Sequence, residues 1–445
     1  MNNYRPVSNL SFVAKLLERV VNDRLDEHLN ACNLYSKFQT AYRKHNSVES
    51  TMLYVTDYIL ECLDHCQVCM LAFLDQSSAF ELFPRCDLLQ VLCKEYGLNG
   101  VVIDWFKSYL CNRSQPVVIS GFESTCGGQP STCGVPQGSI LGPKLFSCYS
   151  AALGDMIGGF GLKYIMYADD IQVMTVADPK DVDDCNSACG KLLDCIASVR
   201  NWMISRGLKL NVDKTEFLVT GSKHNLELVN SYMLPINFSN SQIRDLGVIL
   251  DPMLSLCGQV NHLCKVGFYN LFNINRIRRF LSADICKQLV HALVIVHLDQ
   301  CNSLLLGLPM CLLNRLQRLQ NAAARCIAQV GRRTHITPVL KDLHWLPVVF
   351  RIHFKVLCIV FNCLHGTGPE ILSDKLFYYC NPVALRSNFK DLLTRPLSFS
   401  HYGDRCFSVC APRLWNDLPH GLRCVQDFKT FKRTLKTYLF NLAFN

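Results

Sequence analysis

Apolar and polar positions change period several times along the chain, and each change marks an element. Between Phe12 and Asn30 the residues Phe12, Leu16, Leu17, Val20, Val21, Leu25 and Leu29 recur at helical spacing, with charges on the other face. That pattern predicts an amphipathic helix. Ser47–Leu63 reads as a second helix. Val68–Asp75 (VCMLAFLD) is a continuous apolar run that ends in a carboxylate, short enough to be a strand buried on both faces. Short helices are predicted over Asp87–Tyr96 and Val101–Leu110, and strand near Asn112–Ile119. Thr132–Pro143 holds three glycines and two prolines, so it is a shaped loop. Helix resumes near Lys144–Met156.

Leu162–Val176 (LKYIMYADDIQVMTV) reads as two short strands meeting at Ala168-Asp169-Asp170, where aspartates tolerate the dihedrals of a tight turn. A long helix over about Asp184–Arg206, a strand at Thr215–Thr220 and two strands within Ser231–Leu250 follow. After Pro252 the pattern is mostly helical. There Leu312, Leu316, Leu319, Ala323 and Cys326 form one stripe, read as core packing. Alternating helices and strands followed by a helical tail imply an α+β fold.

The net charge of +9 is unevenly placed. Val260–Asn445 carries 24 Lys+Arg against 9 Asp+Glu, a balance of +15; the preceding part carries 21 against 27, a balance of −6. A basic C-terminal part suits a polyanion, because neutralised phosphates release counterions. The 25 cysteines lie scattered through apolar runs of a long chain, and its first residues, MNNYRPVSNL, are not expected to act as a signal peptide. They are expected to be free thiols in a reducing, intracellular compartment. The group Cys62, His65, Cys66 and Cys69 lacks a second pair at finger spacing and is not expected to hold zinc. Cys185/Cys189 and Cys406/Cys410 are expected on buried helix faces. No apolar stretch reaches the roughly 18 residues of a membrane span.

Three segments could carry chemistry. Tyr167–Asp170 (YADD) sets two carboxylates side by side, an arrangement that a divalent cation makes tolerable. Asp75 ends an apolar strand; beside the YADD hairpin it would make a third carboxylate, as two-metal phosphoryl transfer requires. Gly134–Pro143 (GVPQGSILGP) lets backbone approach a ligand closely, and Gln137 offers both donor and acceptor. Taken singly, these segments also read as a solvated turn and a structured loop.

In order, they resemble the reverse transcriptases of LINE-type (non-LTR) retrotransposons. The likeness runs through NYRPVS at Asn3–Ser8, FQTAYRKHNSVES at Phe38–Ser50, FLDQSSAF at Phe73–Phe80, GVPQGSILGP, YADD, LKLNVDKTEFLVTGS at Leu208–Ser222 and LGVILD at Leu246–Asp251. It continues through LQNAAAR, YGDRCFS and APRLWNDLP. The resemblance implies a right-hand polymerase, with fingers and palm over 1–251, a thumb-like helical region over 252–330 and a basic C-terminal region over 331–445. It implies Mg²⁺ (two ions) on Asp75, Asp169 and Asp170, an RNA template, a DNA primer and deoxynucleoside triphosphates. Phe80 would crowd a ribose 2′-hydroxyl. Gln137 and Gly138 would pack against nucleotide and template, Lys214 would assist pyrophosphate departure, and Arg43 would touch the triphosphate.

Some residues depart from the pattern. Ala79–Arg85 (AFELFPR) replaces the usual AFDTVDH, and Pro84 and Arg85 could disturb the following helix. AYR replaces GFR at Ala41–Arg43. The upstream endonuclease and first fingers segment of an intact element are not in the sequence, which reads as an N-terminally truncated copy. The competing expectation is a catalytically inactive remnant that only binds nucleic acid.

Overall fold

The computed structural model describes residues 8–77, 83–111, 118–119, 122–123, 133–379 and 391–445. Phe80 and most of Asn3–Ser8 and Asn112–Ile119 lie outside them. The centre is an antiparallel sheet built on β1 (Val68–Leu74). Strands β2 (Lys163–Tyr167) and β3 (Asp170–Ala177) form the YADD hairpin. Strand β4 (Glu216–Thr220) pairs with the other edge of β1, giving the order β2-β3-β1-β4.

Strand β1 can be apolar at every position because both of its faces are covered. Cys69, Leu71 and Phe73 enter one core with helix Val48–Asp64 and the C-terminal helices. Val68, Met70, Ala72 and Leu74 enter a second core with helices Leu141–Ser150 and Val182–Ser205. The stripe on helix Met310–Ala328 is core, as read: Leu316, Leu319 and Ala323 are buried. Cys185, Cys189, Cys406 and Cys410 are buried as well.

Pro84 does not disturb the helix after it. It occupies the N-cap of Arg85–Lys94 with φ −65°, where its ring fits and its missing N–H costs nothing. Arg85 donates to the carbonyls of Gly134 and Leu110 at 2.8 and 2.7 Å, bracing the glycine-rich loop. The region Ser231–Leu250 holds the two expected strands, Ile243–Asp245 and Val248–Leu250, paired as a short hairpin.

The first helix, Phe12–Ala31, lies where the period placed it, but its N-terminal half turns the other way. Phe12, Leu16, Leu17 and Val20 are exposed, and Glu18 is buried. The Glu18 carboxylate accepts from the Ile140 and Leu141 N–H groups (2.6 and 3.4 Å) and from the Tyr109 hydroxyl (3.1 Å). It thus satisfies the free donors at the start of helix Leu141–Ser150 and meets its dipole. Glu18→Ala is expected to cost about 2–3 kcal/mol, since buried donors lose a charged acceptor. Leu16→Ser, on the same helix, is expected to cost less than about 0.5 kcal/mol. Urea denaturation midpoints measure both.

Candidate active site

The register of the sheet brings two of the three predicted carboxylates, Asp75 and Asp170, toward one another. Leu74 pairs with Ile171, so Asp75, one residue on, follows the ladder toward Asp170. Asp75 and Asp170 line one cavity of about 550 Å³, with Lys214, Gln172, Arg244 and Asp245 in the same wall. A larger groove of about 800 Å³ runs past Lys223, Glu227 and Asp251. Convergent carboxylates, rather than size, single out the smaller one.

Asp75 is held by the segment after the long helix. The Asn211 amide donates to its Oδ2 at 3.2 Å, and the Asn211 N–H donates to its carbonyl at 2.9 Å. Lys214 Nζ lies 3.2 Å from the same Oδ2. Burial pushes the Asp170 carboxyl up to about 6; repulsion from Asp169 and Asp75 adds to this, and Lys214 opposes it. Hard carboxylate oxygens beside an ammonium that already pairs with Asp75 are the donor type that suits Mg²⁺. The carboxylates are not drawn into a tight cluster, however. Among the described residues, the one group of three ligand atoms all within 4.8 Å of one another is Asp391, His420 and Cys424, exposed in the C-terminal region.

The remaining candidates lie elsewhere. Arg43 is engaged within its own loop: it donates to the Ser36 carbonyl at 2.7 Å, sits 4.7 Å over the Tyr35 ring, and lies 3.9 Å from Glu370. It lines a small cleft with Tyr35 and Lys144, apart from the carboxylate cavity. Gln137 and Gly138 are not in the cavity wall; Gly138 takes φ +100°, which glycine alone adopts freely, and Gln137 Oε1 is buried without a hydrogen-bond partner. Cys62 and Cys69 are buried with their side chains in contact, while Cys66 is exposed.

One residue of the cavity wall had no signal in the sequence. Asp245 is buried in the cavity wall, and burial pushes its carboxyl up to about 7, with Asp170 adding repulsion and the Gln172 amide (2.9 Å) opposing. The turn itself corrects a reading: Ala168, not an aspartate, takes the positive φ, at +58°.

The reverse transcriptase (RNA-dependent DNA polymerase) family profile matches residues 1–250, more than half of the chain. The chain belongs to the reverse transcriptase family. The relatives to which it is similar are polymerases of transposons and mobile elements. It is 28% identical over 266 residues to a probable RNA-directed DNA polymerase from transposon BS of Drosophila melanogaster, covering 57% of this chain and 28% of that one. It is 26% identical over 219 residues to the RNA-directed DNA polymerase from mobile element jockey of the same fly, covering 48% and 23%. The chain therefore spans about a quarter of the length of these curated relatives. Among solved structures it is similar to apo telomerase from Candida tropicalis, with TM-score 0.40 and 13% identity, covering 80% of this chain and 59% of that one. A telomerase from Candida albicans in complex with a fragment of telomeric RNA gives TM-score 0.36 and 11% identity, covering 76% and 55%. The described residues form an α+β fold with the four-stranded antiparallel sheet at its centre.

Proposed function

We propose that this reverse transcriptase extends a DNA primer on an RNA template, taking deoxynucleoside triphosphates and using two Mg²⁺ ions held by Asp75, Asp169 and Asp170. The observation that carries the reading is the ladder that runs Asp75 toward Asp170 beside the Asp169 turn, in the wall of one cavity. When bound, the ions would acidify the primer 3′-hydroxyl and neutralise the triphosphate. Burial raises the Asp170 carboxyl to about 6, so a cation bound there at or below that pH would displace its proton. Lys214, with its side chain mostly exposed at the cavity edge, can swing from Asp75 to a leaving pyrophosphate. Phe80, next along from the Asp75 strand, would exclude a ribose 2′-hydroxyl by steric clash. Gln137 and Gly138 would pack against template and nucleotide. Residues 1–251 would serve as fingers and palm, 252–330 as thumb and 331–445 as a basic surface for nucleic acid. A reducing intracellular compartment suits the many buried thiols.

The test is extension of a DNA primer annealed to an RNA template, with Mg²⁺ and all four deoxynucleoside triphosphates. Template-dependent extension supports the reading. Salt-sensitive RNA binding without extension supports the inactive remnant instead.

A further inference from the structure

The YADD turn holds a conformation that its own residues disfavour. Ala168 has φ +58° and is buried. A non-glycine residue there costs on the order of 1–2 kcal/mol and persists only where its surroundings impose it. The restraint comes from a distant segment. Gln39, buried at 3% exposure, uses one amide group to grip both backbone ends of Ala168. Its Oε1 accepts from the Ala168 N–H at 3.1 Å and from the Ala41 N–H at 3.3 Å; its Nε2 donates to the Ala168 carbonyl at 3.2 Å.

The backbone around Gln39 reinforces the grip. The Met166 N–H donates to the Phe38 carbonyl at 2.8 Å, and the Thr40 N–H donates to the Met166 carbonyl at 2.9 Å. The Phe38–Thr40 segment thus docks along the edge of β2, beside the turn. The three carboxylates depend on this unequally. Asp75 and Asp170 are placed by the β1–β3 ladder and by Asn211. Asp169 is the second residue of a two-residue loop, outside the ladder, and its direction follows from the peptide that joins it to Ala168. The carbonyl of that peptide is the one Gln39 holds.

We propose that Gln39 is a positioning residue for Asp169, fixing the strained turn so that this carboxylate faces the other two. The inference rests on the polymerase reading for its consequence and on the hydrogen bonds for its geometry. Gln39→Met keeps the volume and removes both grips. Gln39→Glu keeps the acceptor but sets a second oxygen against the Ala168 carbonyl, so it serves should the first variant fail to fold.

The probe is Mn²⁺, followed by electron paramagnetic resonance, with a dideoxy-terminated DNA primer on an RNA template and the next deoxynucleoside triphosphate. The variant is expected to bind Mn²⁺ roughly tenfold or more weakly, as when a group that orients a metal ligand is lost. In extension assays kcat is expected to fall by a similar factor. Primer–template affinity is expected to stay within about twofold of wild type, since Gln39 is buried. Unchanged Mn²⁺ affinity in a folded variant overturns the inference. Absence of extension by the wild-type chain, with Mn²⁺ affinity still lowered in the variant, counts against the polymerase reading and leaves the positioning role standing.

Discussion

Asp169→Ala is expected to lower primer extension by on the order of a thousandfold or more, while leaving the thermal midpoint close to that of the wild type. Asp169 sits half-exposed at the tip of a two-residue loop, so its removal disturbs little packing. On the proposed two-metal reading catalysis loses far more, because a metal ligand would act on the charge that develops in the transition state. A second signature follows from electrostatics. After burial, repulsion from Asp169 does most to hold the Asp170 carboxyl up near 6, so its removal lets that value fall toward the ordinary range. The Asp170 titration, read by ¹³C NMR of labelled aspartate, should therefore move down in Asp169→Ala. Equal incorporation by wild type and variant would show that the carboxylates do not carry the chemistry.

Lys375→Met is expected to destabilise the fold by about 3–5 kcal/mol, the usual cost of breaking a buried ion pair from one side. Lys375 Nζ lies 3.1 Å from the fully buried Asp57 carboxylate and 2.6 Å from Glu61, both on helix Val48–Asp64. The Ser408 N–H adds a hydrogen bond to Asp57 at 3.1 Å. This cluster pins the C-terminal region to the helix that backs the four-stranded sheet. Burial raises the Asp57 carboxyl above its ordinary range even beside Lys375, which outlines the pH dependence. An acid whose folded value is raised contributes stability below its unfolded value and loses it as pH rises through the folded one. Without Lys375 the value rises further. The cost of Lys375→Met should thus be larger at pH 8 than at pH 5, measured by denaturant midpoints. A pH-independent loss of under about 1 kcal/mol would mean that Asp57 is solvated.

Elements whose partners lie close in pattern were legible from the residues. The seven residues of β1 announce a strand covered on both sides, and YADD between two apolar runs announces a hairpin. The convergence of Asp75 on Asp170 needed only the strand order. The rest depends on contacts with no period. An amphipathic stripe says that Phe12–Ala31 has an apolar face, but not that Glu18 turns inward to cap a helix more than a hundred residues away. Gln39 in a loop looks like any exposed amide until it is seen around Ala168. Asp57 and Lys375 lie on segments that only tertiary packing joins. Arg43 was read by motif position; its guanidinium is held by Ser36, Tyr35 and Glu370, a set the motif does not encode. Asp245 reads in sequence as one more polar hairpin residue, and only the Leu246-Gly247 turn, with φ +45° and +85°, folds it into the cavity wall.

The most direct measurement is the anomalous scattering of Mn²⁺ in crystals of the chain with a terminated primer on an RNA template and the next deoxynucleoside triphosphate. The account requires two peaks about 3.5–4 Å apart, bracketed by Asp75, Asp169 and Asp170. Manganese found only at Asp391, His420 and Cys424, or nowhere near the end of the Val68–Leu74 strand, would contradict it.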